Sequence, residues 1–184
     1  MKFIKTAIQN VYIIEPSVFG DERGYFLESF NLEKFKENVY PIKFVQDNES
    51  KSSKGVLRGL HFQKPPFDQA KLVRCLEGSV MDVAVDIRKG SPTYGKHVAI
   101  ELSGENKRQL FVPRGFAHGF SVLSETAVFA YKVDNTYAPD SDSGICFDDK
   151  ELNIDWGLTE EDIQLSEKDK NLQSFKDFDS PFKF

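Results

Sequence analysis

The feature that most restricts what this chain can fold into is a long series of short β-branched and aromatic runs punctuated by turn residues. "VYIIEP", "YFLESF", "IKFVQ", "VLRGLHF", "KLVRCLEG", "SVMDVAVDI", "HVAIEL", "RQLFVP", "GFSVLS" and "AVFAYKV" succeed one another, separated by stretches such as "GDERG", "RKGSPTYGK" and "SGENK". Branched and aromatic side chains fit a pleated, half-buried surface, and the Gly-, Ser- and Pro-containing stretches reverse the chain between them. Strand after short strand predicts an all-β antiparallel sandwich or barrel rather than alternating β and α units. At 184 residues, 40% of them hydrophobic, the chain is long enough to bury one substantial core. With no internal repeat and no low-complexity linker, a single domain over 1–184 is expected.

Within that series, "SVMDVAVDI" alternates, with Met81, Val83, Val85 and Ile87 on one face and Val80, Asp82, Ala84 and Asp86 on the other. The first face is expected in the core and the second in a wetter place. Few helices are predicted. "NLEKFKENV" offers Asn31 as N-cap with Leu32, Phe35 and Val39 at helical spacing. "LTEEDIQLSEKDKNL" offers Thr159 as cap and acidic residues in a first turn. The tail carries Phe175, Phe178, Phe182 and Phe184, and Pro181 limits any helix there. Such a tail left in solvent would be an unusual apolar surface, so the segment of about 158–184 is expected to pack on the barrel or on a second subunit.

Charge and cysteine usage exclude several classes. Lys and Arg number 24 against 29 Asp and Glu, a net charge of −5, so no nucleic acid or membrane partner is expected and an anionic ligand needs a local cluster. Cys75 and Cys146 are far apart and lack C-x-x-C spacing, so neither a disulfide framework nor a zinc knuckle is indicated and a reducing cytoplasm fits. The N-terminal run is broken by charges and no segment approaches the roughly 20 apolar residues of a membrane span. A soluble, unexported, cytoplasmic protein is expected.

Three histidines remain to be explained. His61 and His118 each stand between apolar residues of a predicted strand, and His97 follows a loop. Taken singly, the first two read as strand histidines satisfied by a neighbour and the third as exposed. On a regular strand His61 would share a face with Leu57, Gly59 and Gln63, with Arg58 on the other; a bulge at Gly59 would bring Arg58 and His61 together. Two histidines on separate strands of one small barrel suggest a metal site or an acid–base pocket. "GVLRGLHFQ" resembles the first cupin motif, with Gly55 and His61 in place, and "PRGFAH" the second, with Pro113, Gly115 and His118. The metal-binding form of the first motif has a second histidine and then a carboxylate; here those places hold Gln63 and, in the following segment, Lys71. Two imidazoles beside a cation are thin coordination for a divalent ion, so no metal is expected.

"FGDERGYFLESFN", "FVQDNESKSSKGVLRGLHFQ", "KLVRCLEGSVMDVAVDIRKGSPTYG", "NKRQLFVPRGFAHGF" and "YKVDNTYAP", with "SEKD" at the end, together closely resemble one metal-free cupin family, the dTDP-4-dehydrorhamnose 3,5-epimerases. The resemblance implies a cupin-type jelly roll that inverts C3 and C5 of a 4-keto-6-deoxyhexose carried on dTDP, as a homodimer, without a cofactor. Both carbons lie α to the C4 ketone, so the reaction wants a base on one face, an acid on the other, and a cation near the enolate oxygen. By resemblance, His61 is the base, Asp169 the carboxylate that orients it, Lys71 the cation near O4, and Tyr131 the opposing acid. Read alone, Tyr131 would be a core aromatic with its hydroxyl satisfied. Arg58 matches a phosphate ligand, and Arg23 another that the family supplies from the partner subunit. Glu28, Gln46, Asn48, His118, Asp142 and Lys168 fall at ligand positions, and Phe19 and Tyr137 are candidate aromatic walls for thymine. Without the family, Arg23 and Glu28 would be a solvated turn and a cross-strand charge pair. Asp142 stands where relatives often carry glutamate, and the tail after Lys170 is poorly matched. Three other readings stay open: an epimerase acting on one carbon only, a non-catalytic nucleotide-sugar-binding cupin, and a metal-dependent cupin.

Overall fold

A computed structural model describes residues 1–184, and most of the predicted runs form strands in order. The exception is "IKFVQ": residues 42–45 are not strand, and the strand there instead begins at Gln46 and runs through the polar "QDNESKSS". Thirteen strands are present: β1 (Lys2–Lys5), β2 (Tyr12–Glu15), β3 (Val18–Asp21), β4 (Gly24–Leu27), β5 (Gln46–Ser53), β6 (Leu57–Gln63), β7 (Lys71–Glu77), β8 (Ser79–Asp86), β9 (His97–Ser103), β10 (Gln109–Val112), β11 (Phe116–Val122), β12 (Thr126–Val133) and β13 (Asp142–Gly144). They form a six-stranded sheet in the order β1-β2-β10-β7-β12-β5, a five-stranded sheet in the order β13-β6-β11-β8-β9, and the separate hairpin β3-β4. Every ladder between named strands is antiparallel, and the two large sheets face each other as a cupin-type jelly roll, as predicted.

The space between the sheets is filled from both sides. Val73, Leu110 and Phe129 of one sheet meet Val80, Ala84, Phe116 and Phe120 of the other in a single buried cluster. The second buried cluster lies outside the five-stranded sheet, where Leu57, Leu60, Phe62, Val83, Val85 and Ile87 are covered by Trp156, Phe178 and Phe182 of the C-terminal segment. The expected division of "SVMDVAVDI" into a core face and a wetter face is therefore corrected. Both faces are buried, because the tail roofs the outer one, and Asp82 and Asp86 are fully shielded from solvent. Each carboxylate survives there because it is partnered, Asp82 by His118 and Asp86 by Arg88, Ser91 and Thr93.

The single α-helix, α1 (Leu32–Asn38), begins as predicted. The Asn31 side chain accepts hydrogen bonds from the backbone N–H groups of Glu33 and Lys34. Phe35 is its anchor, buried against Ile14, Leu72 and Phe111 on the outer face of the six-stranded sheet. Burial of that ring is worth about 1.5–3 kcal/mol. Leu32, expected on the same stripe, is exposed. The second predicted helix does not form. Residues 158–172 carry only two short 3-10 turns, Glu160–Asp162 and Asp169–Asn171. Between them Gln164 is extended, its N–H donating to Gly55 O at 2.9 Å and its carbonyl accepting from Leu57 N–H at 3.0 Å. Backbone spent on a strand cannot also close helical turns. The tail then packs irregularly on the barrel of its own chain, with Phe178 and Phe182 buried and the Arg88 guanidinium lying 4.9 Å over the Phe184 ring.

Candidate active site

The sheets enclose a cavity of about 730 Å³, within the volume range of pockets that hold drug-sized ligands. Its geometry begins with an irregularity in β6. His61 pairs with His118 of β11, yet Arg58 pairs with Phe120, so three steps of β6 run against two of β11 and β6 carries one extra residue at Gly59–Leu60. Gly59 has φ +132°, and a Cβ there would lie 2.6 Å from Gly119 Cα. A Cβ on Gly119 would lie 2.7 Å from the Arg58 carbonyl oxygen, so both strands need glycine where they touch. The bulge foreseen at Gly59 thus exists, and Arg58 and His61 both line the cavity, while Leu57, Leu60 and Phe62 also take part in the outer cluster.

His61 is held by a residue far along the chain. Its Nε2 lies 2.7 Å from Asp169 Oδ1, with the ring 25% exposed and the carboxylate 5%. The two groups meet closely without an aligned hydrogen bond, and neither His61 Nδ1 nor Asp169 Oδ1 has a hydrogen-bond partner. Burial alone would raise the Asp169 carboxyl, but contacts from His61 and Ser166 override it and hold the group below the usual carboxylate range. The Ser166 hydroxyl donates to the other oxygen, Oδ2, at 2.6 Å.

On the facing sheet, β7 and β12 present Lys71 and Tyr131 to the same cavity. Burial lowers the Lys71 ammonium to about 8, against partial support from Asp82 and Asp142. Burial also raises the Tyr131 phenol, as does Asp142, while Arg58 opposes the shift. The phenol therefore keeps its proton at neutral pH.

His118 sits opposite His61 and makes a second imidazole–carboxylate pair. Its Nε2 lies 3.0 and 3.1 Å from the two oxygens of Asp82, and the ring stacks near Phe129 at 6.3 Å. Gln63 Nε2 donates to the carbonyls of Phe67 and Thr136, and its Oε1 accepts from Ala138 N–H. With each histidine committed to its own carboxylate and Gln63 to the loops, no group of three or more His, Cys, Asp or Glu converges on one point.

The remaining predicted ligands divide into two groups. Arg58, Gln46, Asn48, His118, Asp142, Lys168 and Tyr137 all line the cavity. Arg58 donates to Ser52 Oγ at 3.2 Å and Gln46 to Asn48 Oδ1 at 2.8 Å. At the rim, Asp142 pairs with Lys168 and accepts from the Tyr137 hydroxyl at 3.2 Å. Arg23, Phe19 and Glu28 lie outside this cavity. Arg23 is at the tip of the β3-β4 hairpin, 89% exposed and paired with Asp21, and Phe19 is 66% exposed on the same hairpin. Glu28, just beyond it, is tied to Lys34 at 2.6 Å and Asn31 at 3.1 Å. Asp82 and Ser166 were not foreseen as site residues. Asp82 shares its strand face with Val80 and Ala84, and a carboxylate on an inward face demands a partner. Ser166 carries the S-x-x-D spacing of a turn cap.

Residues 5–177 match the family model described as dTDP-4-dehydrorhamnose 3,5-epimerase. The chain belongs to that family. The dTDP-4-dehydrorhamnose 3,5-epimerase of Shigella flexneri is 58% identical over 180 residues, covering 97% of this chain and 98% of that protein. The crystal structure of the Elizabethkingia anophelis NUHP1 enzyme of the same name superposes with a TM-score of 0.92 at 60% identity, over 96% of this chain and 97% of that one. That of a Legionella pneumophila Philadelphia 1 dTDP-6-deoxy-D-glucose-3,5-epimerase, in complex with dTDP-4-keto-L-rhamnose, superposes with a TM-score of 0.95 at 50% identity, over 100% and 98%. The expected family and jelly roll are thus both borne out. No helix is long and apolar enough to cross a membrane.

Proposed function

We propose that this chain epimerises dTDP-4-dehydro-6-deoxy-D-glucose at C3 and C5 to dTDP-4-dehydro-L-rhamnose. The observation that carries the reading is the presence of His61 and Tyr131 on opposite sheets of one cavity, with the half-buried Lys71 lining it too. His61, oriented by Asp169, takes the proton from the carbon α to the C4 ketone. Lys71 faces the charge that develops on the enolate oxygen, where a cation in a water-poor site is most effective. Tyr131 delivers a proton to the opposite face, so the carbon returns inverted; the phenolate is then reprotonated from solvent and His61 releases to solvent the proton it took. Repetition at the second α-carbon completes the reaction, and no bond change in it transfers electrons to a cofactor.

The anionic nucleotide is assigned to Arg58, Gln46, Asn48, His118 and Lys168, with Tyr137 and Asp142 at the rim. Arg23, Glu28 and Phe19 are assigned to the site of a second copy in a homodimer. The support is the hairpin itself, where Phe19, Tyr25 and Phe26 are 66%, 59% and 69% exposed and would gain apolar cover from a partner. The whole chain is read as one domain, because the tail and the barrel share a buried cluster. Two unpaired cysteines and a nucleotide-linked substrate favour the cytoplasm.

The test is incubation with dTDP-4-keto-6-deoxyglucose in heavy water, followed by NMR. Deuterium at both C3 and C5 is expected. Exchange at one carbon would make the chain a single-carbon epimerase, and exchange at neither would leave a nucleotide-sugar-binding protein.

A further inference from the structure

We propose that Ser166 is a positioning residue that holds the Asp169 carboxylate turned toward His61. The inference rests on the assignment of His61 as the base and adds a residue that this assignment does not include. Ser166 makes two contacts with one partner: its hydroxyl donates to Asp169 Oδ2 at 2.6 Å, and its Oγ accepts from the Asp169 backbone N–H at 3.2 Å. Rotation of the carboxylate away from His61 breaks the first contact, and displacement of the turn breaks the second.

The surrounding backbone explains why this serine is in place. Gln164, two residues earlier, is pinned to Gly55 and Leu57 at the start of β6, the strand that carries His61. Lys170 N–H donates to Ser166 O at 3.2 Å and closes the turn that carries Asp169. In an ordinary S-x-x-D cap the acid reaches back to the backbone of the capping residue. Here the acid is turned outward instead, one oxygen held by the hydroxyl and the other 2.7 Å from the imidazole. Neighbouring charges do not substitute for the serine, because Lys168 is engaged by Asp142 and Lys170 by Glu167. A donor fixed to an ionised carboxylate also keeps it ionised despite burial.

A serine that only capped the turn would stabilise the fold and leave the chemistry per folded molecule unchanged. The experiment compares Ser166→Ala and Ser166→Thr with the unaltered chain by steady-state kinetics, thermal unfolding and NMR titration of the ¹³C-labelled Asp169 carboxyl. Ser166→Ala is expected to lower kcat about tenfold, the scale of one charge-assisted hydrogen bond, with KM within about twofold. The Asp169 carboxyl should titrate at higher pH in Ser166→Ala, and Ser166→Thr, which keeps the hydroxyl, should restore both values. A Ser166→Ala protein with wild-type kcat, or with a lower Tm but an unmoved carboxyl titration, overturns the proposal. If the unaltered chain exchanges no deuterium, the assignment of His61 falls, and the carboxyl titration still decides whether Ser166 governs Asp169.

Discussion

The cavity holds two imidazole–carboxylate pairs that face each other across one strand boundary, and they are built in opposite ways. His118 and Asp82 come from neighbouring strands β11 and β8, with the ring 7% exposed, the carboxylate at 0%, and both oxygens near Nε2. His61 takes its carboxylate from a short turn of the tail, uses one oxygen, and keeps a quarter of its ring open to the cavity. The first pair is part of the barrel. The second is assembled only when the tail docks. The contrast teaches that a shared residue pairing does not imply a shared role: the shielded pair braces the wall that His118 presents to the cavity, whereas a partly open imidazole can exchange protons with a ligand.

The largest effect expected from this contrast is on stability. His118→Ala leaves the Asp82 carboxylate buried without its imidazole, a loss of about 3–5 kcal/mol, whereas His61→Ala, which leaves Asp169 the Ser166 hydroxyl, should lower the urea midpoint by less. Equal midpoints for the two variants would erase the distinction. Activity should rank them the other way per folded molecule. His61→Ala is expected to lose at least about 10²-fold in kcat as a missing general base; an unaltered rate would remove His61 from the chemistry. Tyr131→Phe sharpens the division of labour, because it should slow net inversion more than loss of substrate deuterium, and equal slowing of the two would count against Tyr131 as the acid.

The smallest effect is a pH signature of Lys71, whose ammonium is lowered to about 8 by burial. As pH rises through about 8 the cation is lost, so kcat/KM should fall. Stability should move the other way: from about 8 toward the ordinary lysine value near 10.4, the unfolded chain binds the extra proton, so unfolding free energy rises with pH. Lys71→Met should abolish that rise; a slope that survives in the variant would assign it to another group.

Much of this architecture could be read from residue order. Alternation in β8, the Asn31 cap and the glycine inside β6 are local signals, and each produced the element or irregularity it predicted. The tail could not be read in the same way. "LTEEDIQLSEKDKNL" has a helix's cap and charge pattern, but pairing of Gln164 with β6 competes for the same backbone groups, and that competition is invisible until β6 is in place. The link between His61 and Asp169 spans 108 positions (169 minus 61), beyond any periodicity. Asp82 was missed because alternation placed it on the wetter face, and its need for a partner follows only from the burial that the structure shows. Arg23 and Phe19 sit apart from the cavity because β3 and β4 form a two-stranded unit separate from both large sheets, and Glu28 because it is tied to Asn31 and Lys34.

The contact between Gly59 and Gly119 has a consequence for how this protein can diversify. Any side chain at either position strikes backbone of the opposing strand, so neither site can change without displacing Arg58 and His61 together. Mutational drift is thus closed off beneath Arg58 and His61 and left open at the rim, where Asp142 meets both Tyr137 and Lys168 through flexible ends. New ligand preferences in descendants of this sequence would be acquired most readily at the mouth of the cup, with its floor inherited unchanged.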